Sequence, residues 1–264
     1  MINPNHDLHL HTRLSPCCTD VNQTIPNLVA AARQMGLRKI GMADHAWLQS
    51  DTVPAGWQPN RAGFAVRNRA IAAITPPPVV LRGCEADTFG PGRFSIDRRF
   101  AARCDYVILA ANHFHFRALV DQPTTVTPQG VGDHMIRMFL AAVRSHLANI
   151  IPHVFMPMGY WEYYEPAIAA IPDKIFLEVF QETAAADVAV EITPVYLPPP
   201  PGGIRRTWNL ATPLRVLTLA RQAGCRFVFG SDAHALVAMS QLRQLSPLIQ
   251  ALALEEKDLH PLAR

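Results

Sequence analysis

Polar residues alternate with leucines at the start of the chain, in the segment HDLHLH at positions 6 to 11. In a β-strand, alternate side chains share one face, so Asp7, His9 and His11 point to one side while Leu8 and Leu10 point to the other. The pattern predicts a first strand that presents two histidines and a carboxylate on a single face.

Apolar, β-branched segments then alternate with alanine-rich helical patterns along the chain. The segments that predict strands include KIGMADH, VVLRGCEAD, DYVILAANH, NIIPHVF, VAVEIT and RFVFGSDAH, and glycines such as Gly36 and Gly224 mark helix ends. This alternation is typical of βα units with a parallel sheet, and seven or more strands in this rhythm predict a barrel. The proline-rich stretches at 75–78 and 197–203 are short enough to be loops, so residues 1–264 are interpreted as one domain.

Composition narrows the class of protein. A chain of 264 residues with 49% hydrophobic residues can bury a large core, and a net charge of +3 gives little support for a nucleic-acid partner. No apolar run approaches the roughly 20 residues that a membrane helix needs, and the polar N-terminal segment lacks a signal-peptide pattern. We therefore expect a cytoplasmic protein with no membrane partner, whose five cysteines are reduced thiols.

Histidines and carboxylates recur at the C-terminal ends of the predicted strands, and these ends meet at one mouth of a parallel barrel. Each alone can be explained as a hydrogen-bonded or helix-capping residue. Burying so many together is costly unless metal ions pair them, and imidazole and carboxylate ligands suit zinc, iron or manganese. The residues are His9, His11, Asp44, His45, Glu85, His113, His153, Asp232 and His234.

The motifs DLHLHTRLS, MADHA, GCEAD, ILAANH, IPHVF and GSDAHA follow one another from residue 7 to residue 235. In these motifs, and in their order, the chain resembles the PHP (polymerase and histidinol phosphatase) family of metal-dependent phosphoesterases. The resemblance implies an α/β fold, a distorted (βα)7 TIM-like barrel with two or three divalent metal ions (Zn, Fe or Mn) at the C-terminal mouth of the strands.

The resemblance also implies roles for individual residues. It makes Glu85 a bridging ligand, His45 a ligand of a third ion, and Asp44 a residue that orients an imidazole. From its place on the first strand, we expect Asp7 to support His9 and His11 from behind. The remaining implied metal ligands are His9, His11, His113, His153, Asp232 and His234.

Two positions leave alternatives open. Many family members carry a histidine where this chain has Cys17, so this thiol is either a ligand of the third ion or an inert buried group. Asp20 is a further candidate ligand or a helix start. His115 lies two residues after His113 in NHFHF; the family motif favours His113 as the ligand, which leaves His115 as a substrate-side or surface residue.

The expected activity is hydrolysis of a small phosphate monoester through a metal-bridging hydroxide, with His234, Asp232 or His153 orienting the water or protonating the leaving oxygen. Arg205 and Arg206, in a loop predicted to overhang the mouth, are either phosphate-binding or ordinary surface residues.

Aromatic residues near the same loops either wall a pocket or pack the loops: Trp47, Trp57 and the segment GYWEYYEP at 159–166. The alternative functions are a phosphodiesterase or nuclease, which predicts an extended, salt-sensitive groove, and a non-catalytic module that metal ions stabilise. The retention of nearly every implied ligand favours the enzyme.

Overall fold

The computed structural model describes residues 2–48, 50–197 and 209–264. Seven parallel strands form a barrel in the order β1-β2-β3-β5-β6-β7-β8, while β4 pairs antiparallel with the end of β3. This confirms the predicted TIM-like barrel. The strands are β1 His6–Leu10, β2 Lys39–Met42, β3 Val79–Gly90, β4 Arg93–Phe94, β5 Tyr106–Ala110, β6 Ile150–Ile151, β7 Ala189–Ile192 and β8 Phe227–Phe229.

The barrel closes between its last and first strands through a short seam. Leu10 forms a parallel bridge with Ala233, and the backbone N–H of His11 donates to the carbonyl of Ala233 at 3.2 Å. Side chains strengthen the seam, because the ring of His6 accepts from the backbone N–H of Phe229 at 2.8 Å.

Helices surround the sheet, and their ends follow local sequence signals. Thr24 caps the first helix, and Gly36, with a φ of 74°, ends it in the left-handed conformation that glycine favours. The α-helices are α1 Ile25–Met35, α2 Arg61–Ala72, α3 Arg98–Ala101, α4 Pro128–Arg144, α5 Tyr164–Ala170, α6 Asp173–Ala185, α7 Ala211–Gln222 and α8 Ser246–Ala251. Short 3-10 helices span Ser50–Thr52, Trp161–Tyr163, Pro194–Tyr196, Leu236–Leu245, Glu256–Asp258 and Pro261–Ala263.

Inside the barrel, Tyr106 fills space that two glycines leave open. A Cβ added at Gly41 would lie 2.0 Å from the Tyr106 hydroxyl oxygen, and one added at Gly83 would lie 2.3 Å from its ring. The hydroxyl donates to the carbonyl of Leu8. The ring therefore ties β1, β2 and β3 together.

A buried arginine holds α2 against the strands that lead to the mouth. Arg67 donates to the carbonyls of Met42 and Gly83 at 3.1 and 2.6 Å and to the carboxylate of Asp44 at 2.9 Å. Within the described part of the chain, no helix is both long and apolar enough to cross a membrane.

Candidate metal centre

The C-terminal ends of the strands bring the histidines and carboxylates of the motifs together. His9 and Glu85 lie within β1 and β3, His113 and His153 follow β5 and β6, and Asp232 follows β8. The side chains of this cluster are buried or nearly so, which places their charges and lone pairs in a medium that stabilises them poorly without partners.

Glu85 lies at the centre of the cluster, and its two carboxylate oxygens face different histidines. Oε2 is 3.0 Å from His45 Nδ1 and 3.5 Å from Nε2 of both His9 and His11, while Oε1 is 3.3 Å from His153 Nε2 and 3.7 Å from His113 Nε2. A carboxylate whose two oxygens face separate sets of imidazoles has the geometry of a ligand that bridges two ions.

Two of these nitrogens have no hydrogen-bond partner although they are buried: Nε2 of His9 and Nδ1 of His45. Buried polar atoms are rarely left unpaired, so the residues fit a cation that would take up these lone pairs. Within the described residues, three groups have donor atoms within 4.8 Å of one another. They are His9 with His11 and Glu85, His45 with Glu85 and His113, and His11 with His45 and His234.

Two carboxylates that the sequence analysis did not single out lie behind the histidines. Glu191 in β7 is 2.7 Å from His9 Nδ1 and accepts the backbone N–H of His153 at 3.0 Å, and Asp87 in β3 is 2.6 Å from His113 Nδ1. Each carboxylate fixes the imidazole so that its Nε2 points to Glu85. The available signal was an acidic residue inside the otherwise apolar segments VAVEIT and GCEAD.

Gly230 permits the close approach of Glu191 to the first strand. A Cβ at this position would lie 2.2 Å from Glu191 Oε1 and 2.6 Å from His9 Cβ. The loop after β8 therefore needs a residue without a side chain to let the carboxylate reach the histidine.

Asp44 orients His11 indirectly, through Ser15. The Ser15 hydroxyl lies 3.0 Å from both Asp44 Oδ1 and His11 Nδ1. Burial opposes the charge of Asp44, but Arg67 and His11 outweigh it and lower the pKa of this carboxyl.

Asp7 supports the backbone. Its Oδ1 accepts the backbone N–H groups of Ser231 at 2.9 Å and His9 at 3.2 Å, which joins β1 to the loop after β8. Burial raises the pKa of Asp7 to about 6.

Neighbouring charges shift the pKa values of His9 and Glu85 in opposite directions. Burial lowers the pKa of His9, but the carboxylates of Glu191, Asp232 and Glu85 outweigh burial and raise that pKa well above its usual value. Burial likewise raises the pKa of Glu85, but His45 and His9 hold it well below its usual range. The site therefore keeps its central carboxylate ionised and able to bind cations.

Cys17 lies at the rim of the cluster, with its Sγ 3.1 Å from His234 Nε2, and it lies outside the three donor groups. Burial and the nearby Glu85 raise the pKa of its thiol. Asp20 is no helix start, because Thr24 caps α1 and Asp20 instead accepts the backbone N–H groups of Asn22 and Leu236.

His113 and His115 take different positions. His113 is buried with Nε2 towards Glu85, whereas His115 is exposed and lines a cavity beside the cluster. Arg205 and Arg206 lie outside the described residues.

The cavity has a volume of about 170 Å³. Part of its wall is aromatic or apolar, from Trp57, Phe116 and Met158. The rest consists of Cys17, His45, Glu85, His113, His115, Asp232 and His234.

Some aromatic residues near the mouth line the cavity, and others pack the loops. Trp47 is fully buried, stacks on His45 with centroids 4.8 Å apart, and donates its indole N–H to Asp87 at 2.7 Å. Tyr160 is also buried and bonds to Arg117 and Gln122. Trp47 and Tyr160 therefore pack the loops, while Trp57 faces the cavity.

Two of the six described non-glycine residues with a positive φ belong to the cluster. His153 and Asp232 have φ values of 32° and 54°, in the left-handed region that side chains other than glycine rarely adopt. Such strain persists only where surrounding structure holds it, and it is common at functional sites.

Neither a protein-family model nor a curated protein matches the sequence. Among solved structures, the chain is similar to a histidinol phosphate phosphatase from Lactococcus lactis subsp. lactis Il1403, solved with zinc, L-histidinol and phosphate. The TM-score is 0.59 at 15% identity, over 96% of this chain and 95% of that chain. The chain has a PHP-like fold. An uncharacterised protein aligns with a TM-score of 0.47 at 14% identity, over 95% of this chain and 71% of that chain.

The PHP-like fold agrees with the motif order read from the sequence. The first five motifs lie on or at the ends of β1, β2, β3, β5 and β6 in turn, and GSDAHA follows β8, so the six motifs meet at one mouth. The likeness extends over nearly the whole chain, so it concerns the barrel as a unit.

Proposed function

We propose that this protein is a metal-dependent phosphoesterase that hydrolyses a small phosphate monoester. The observation that carries the proposal is the position of Glu85, whose carboxylate faces five buried imidazoles, three of which have an unpaired nitrogen, beside an open cavity. The similar phosphatase was solved with zinc and phosphate, which supports the same chemistry here.

We infer the metal ligands from the groups of donor atoms that lie close together. His9, His11, Asp232 and Glu85 would hold one ion, and Glu85, His113 and His153 a second. His45 and His234 would hold a third, with Cys17 as the nearby soft donor. Divalent zinc, manganese or iron bound there lowers the pKa of a bound water and neutralises charge on the phosphoryl oxygens.

Residues that face the cavity would orient the attacking water and protonate the leaving oxygen. Asp232 stays ionised, because His9, His11 and His234 outweigh burial and lower its pKa, so it can accept a hydrogen bond from water. His234 lines the cavity and is a third exposed, so in a form that binds only the first two ions it would be available to protonate the leaving oxygen. His153 is fully buried against Glu85 and fits a ligand role better.

The cavity favours a small substrate. Its volume of about 170 Å³ lies below the range of about 300–1,000 Å³ that is usual for drug-sized ligands. Trp57 and Phe116, with ring centroids 6.0 Å apart, offer an apolar surface for the alcohol portion of the ester.

Hydrolysis of an aryl phosphate monoester and an aryl phosphodiester, with manganese, zinc or iron added, tests the proposal. We expect metal-dependent cleavage of the monoester that a chelator abolishes and that His9→Ala loses. The exposed histidine variant His146→Asn should keep full activity. Preference for the diester would favour a nuclease, and absence of cleavage with any of the three metals would contradict the proposal.

A further inference from the structure

Two cysteines lie in contact at the strand that carries Glu85. The Sγ atoms of Cys84 and Cys104 are 3.7 Å apart, and both are free thiols. Cys84 precedes Glu85 in β3, while Cys104 lies between α3 and β5. The two residues are 20 positions apart in sequence, so the barrel fold creates this contact.

The two thiols differ in access to solvent. Cys84 is fully buried, whereas Cys104 is partly exposed. A small oxidant can therefore reach Cys104 first, and the buried partner is already within contact distance of it. This arrangement of an accessible thiol and an adjacent resolving thiol is typical of cysteines that oxidise reversibly.

The surroundings favour the reactive form of the accessible thiol. The contact with Cys84 and the nearby guanidinium of Arg67 outweigh burial and lower the pKa of Cys104. Since the thiolate is the nucleophile, these contacts increase the reactivity of Cys104.

We propose that Cys84 and Cys104 form a reversible oxidation site for peroxides, and that its disulfide weakens metal binding through Glu85. The Cys104 thiolate attacks one peroxide oxygen, the O–O bond breaks, and the product is a sulfenic acid with hydroxide. The Cys84 sulfur then attacks the Cys104 sulfur and displaces its oxygen as water. With hydrogen peroxide, two thiols and one peroxide give one disulfide and two waters, because the proton that the Cys104 thiol released neutralises the hydroxide.

The link to the cluster follows from geometry. A disulfide needs its sulfurs at about 2.05 Å, so the 3.7 Å contact must contract. Cys84 and Glu85 are consecutive on β3, where Cys84 pairs with Val107 and Glu85 with Ile108 of β5. We expect this contraction to displace Cys84 and with it the adjoining Glu85, which faces five histidines.

Peptide mapping after brief treatment of the purified protein with hydrogen peroxide tests the oxidation site. Trypsin releases Cys84 in fragment 83–93, Cys104 in 104–117, Cys225 in 222–226, and Cys17 with Cys18 in 14–33. We expect a linked species of 83–93 with 104–117 that dithiothreitol separates. Diamide, an oxidant of thiols that contains no peroxide, should give the same linkage.

The variants distinguish the pair from general thiol oxidation. Cys104→Ser should abolish the linked species, whereas Cys225→Ser should leave it unchanged. If only fragments 14–33 or 222–226 are modified, or if Cys104 proceeds to sulfonic acid without linkage, the oxidation site is refuted.

Metal retention tests the second part of the proposal and does not depend on the activity of the protein. We expect the apparent dissociation constant for zinc to rise about tenfold or more in the disulfide form, the scale of loss when the support of a ligand is disturbed. An unchanged constant in fully linked protein would overturn the coupling to Glu85.

Discussion

At the level of single residues, two of the proposed ligand histidines, His9 and His113, depend on carboxylates that lie behind them. Glu191 and Asp87 each accept from the Nδ1 side of an imidazole, at 2.7 Å for His9 and 2.6 Å for His113. These contacts choose the tautomer of each ring, so that Nε2 carries the lone pair that faces Glu85.

The substitution Glu191→Gln removes the charge behind His9 while keeping the shape of the side chain. We expect the zinc affinity of the protein to fall about 10–100-fold, because His9 becomes less basic and its ring is held less firmly. Titration with zinc against a competing chelator measures this. Glu182→Gln, which breaks an exposed ion pair with Arg144, is the control and should bind zinc as the unmodified protein does. Equal affinity of the two variants would refute the supporting role of Glu191.

A histidine outside the cluster makes stability depend on pH. Burial, with a smaller contribution from Lys39, lowers the pKa of His6 to about 3 in the folded protein. Its unfolded value is about 6.5, so below that pH the unfolded chain binds a proton that the folded protein does not. Stability is therefore lost progressively as the pH falls from about 6.5 towards 3.

We expect this effect of His6 to cost about 2 kcal/mol of unfolding free energy between pH 6.5 and pH 5. Urea unfolding of the metal-loaded protein across this range measures it. His6→Gln should show a shallower decline, and His146→Asn should decline as the unmodified protein does. If His6→Gln retains the full slope, the proton uptake belongs to other groups.

At the level of elements, Arg67 provides a polar anchor of α2 at the mouth. It joins the end of β2 to the middle of β3 and neutralises Asp44, which in turn supports His11 through Ser15. The side chain is therefore an anchor for the helix and a counter-charge for the cluster.

The variant Arg67→Met leaves the Asp44 carboxylate buried without its cation. We expect the unfolding free energy to fall by about 3–5 kcal/mol, the cost of breaking a buried ion pair from one side. Arg69→Met, on an exposed position of the same helix, should change it by no more than about 0.5 kcal/mol. A loss in Arg67→Met as small as that of the control would contradict the anchoring role.

Some of these elements could be predicted from the sequence and others could not. The period-two pattern around His9 and His11 identified the first strand and its polar face, because a strand's faces are fixed by alternation alone. Arg67 has the sequence context of a surface residue on a weakly amphipathic helix, and only the packing of α2 shows it to be buried.

The side-chain contacts within the site could not be predicted from the sequence for a similar reason. Glu191 lies 182 residues from His9, and nothing local to either residue specifies which imidazole nitrogen the carboxylate meets. The aromatic residues illustrate the same limit, since Trp47 packs under His45 while Trp57, ten positions later, lines the cavity.

At the level of the whole molecule, barrel closure assembles the cluster. Residues from the first strand and from the loop after the last strand meet at the seam, where Asp232 Oδ1 lies 3.5 Å from His9 Nε2 and 3.1 Å from His11 Nε2. A metal ion bound there would link the two ends of the sheet, so metal binding and closure should stabilise each other.

Removal of metal therefore tests the coupling between site and fold. We expect the chelated protein to unfold at a lower temperature than the metal-loaded protein, with the difference restored when zinc is added back. Calorimetry of both forms measures the shift. Identical unfolding temperatures with saturating zinc would contradict the coupling.

The central claim is that the Glu85 cluster binds divalent metal ions, and the number of ions per chain tests it most directly. Elemental analysis of the reconstituted protein should give two or more ions per chain, and Glu85→Gln should bind at least one fewer, because its amide cannot bridge two cations. Fewer than one ion per chain, or a count that Glu85→Gln leaves unchanged, would contradict the account.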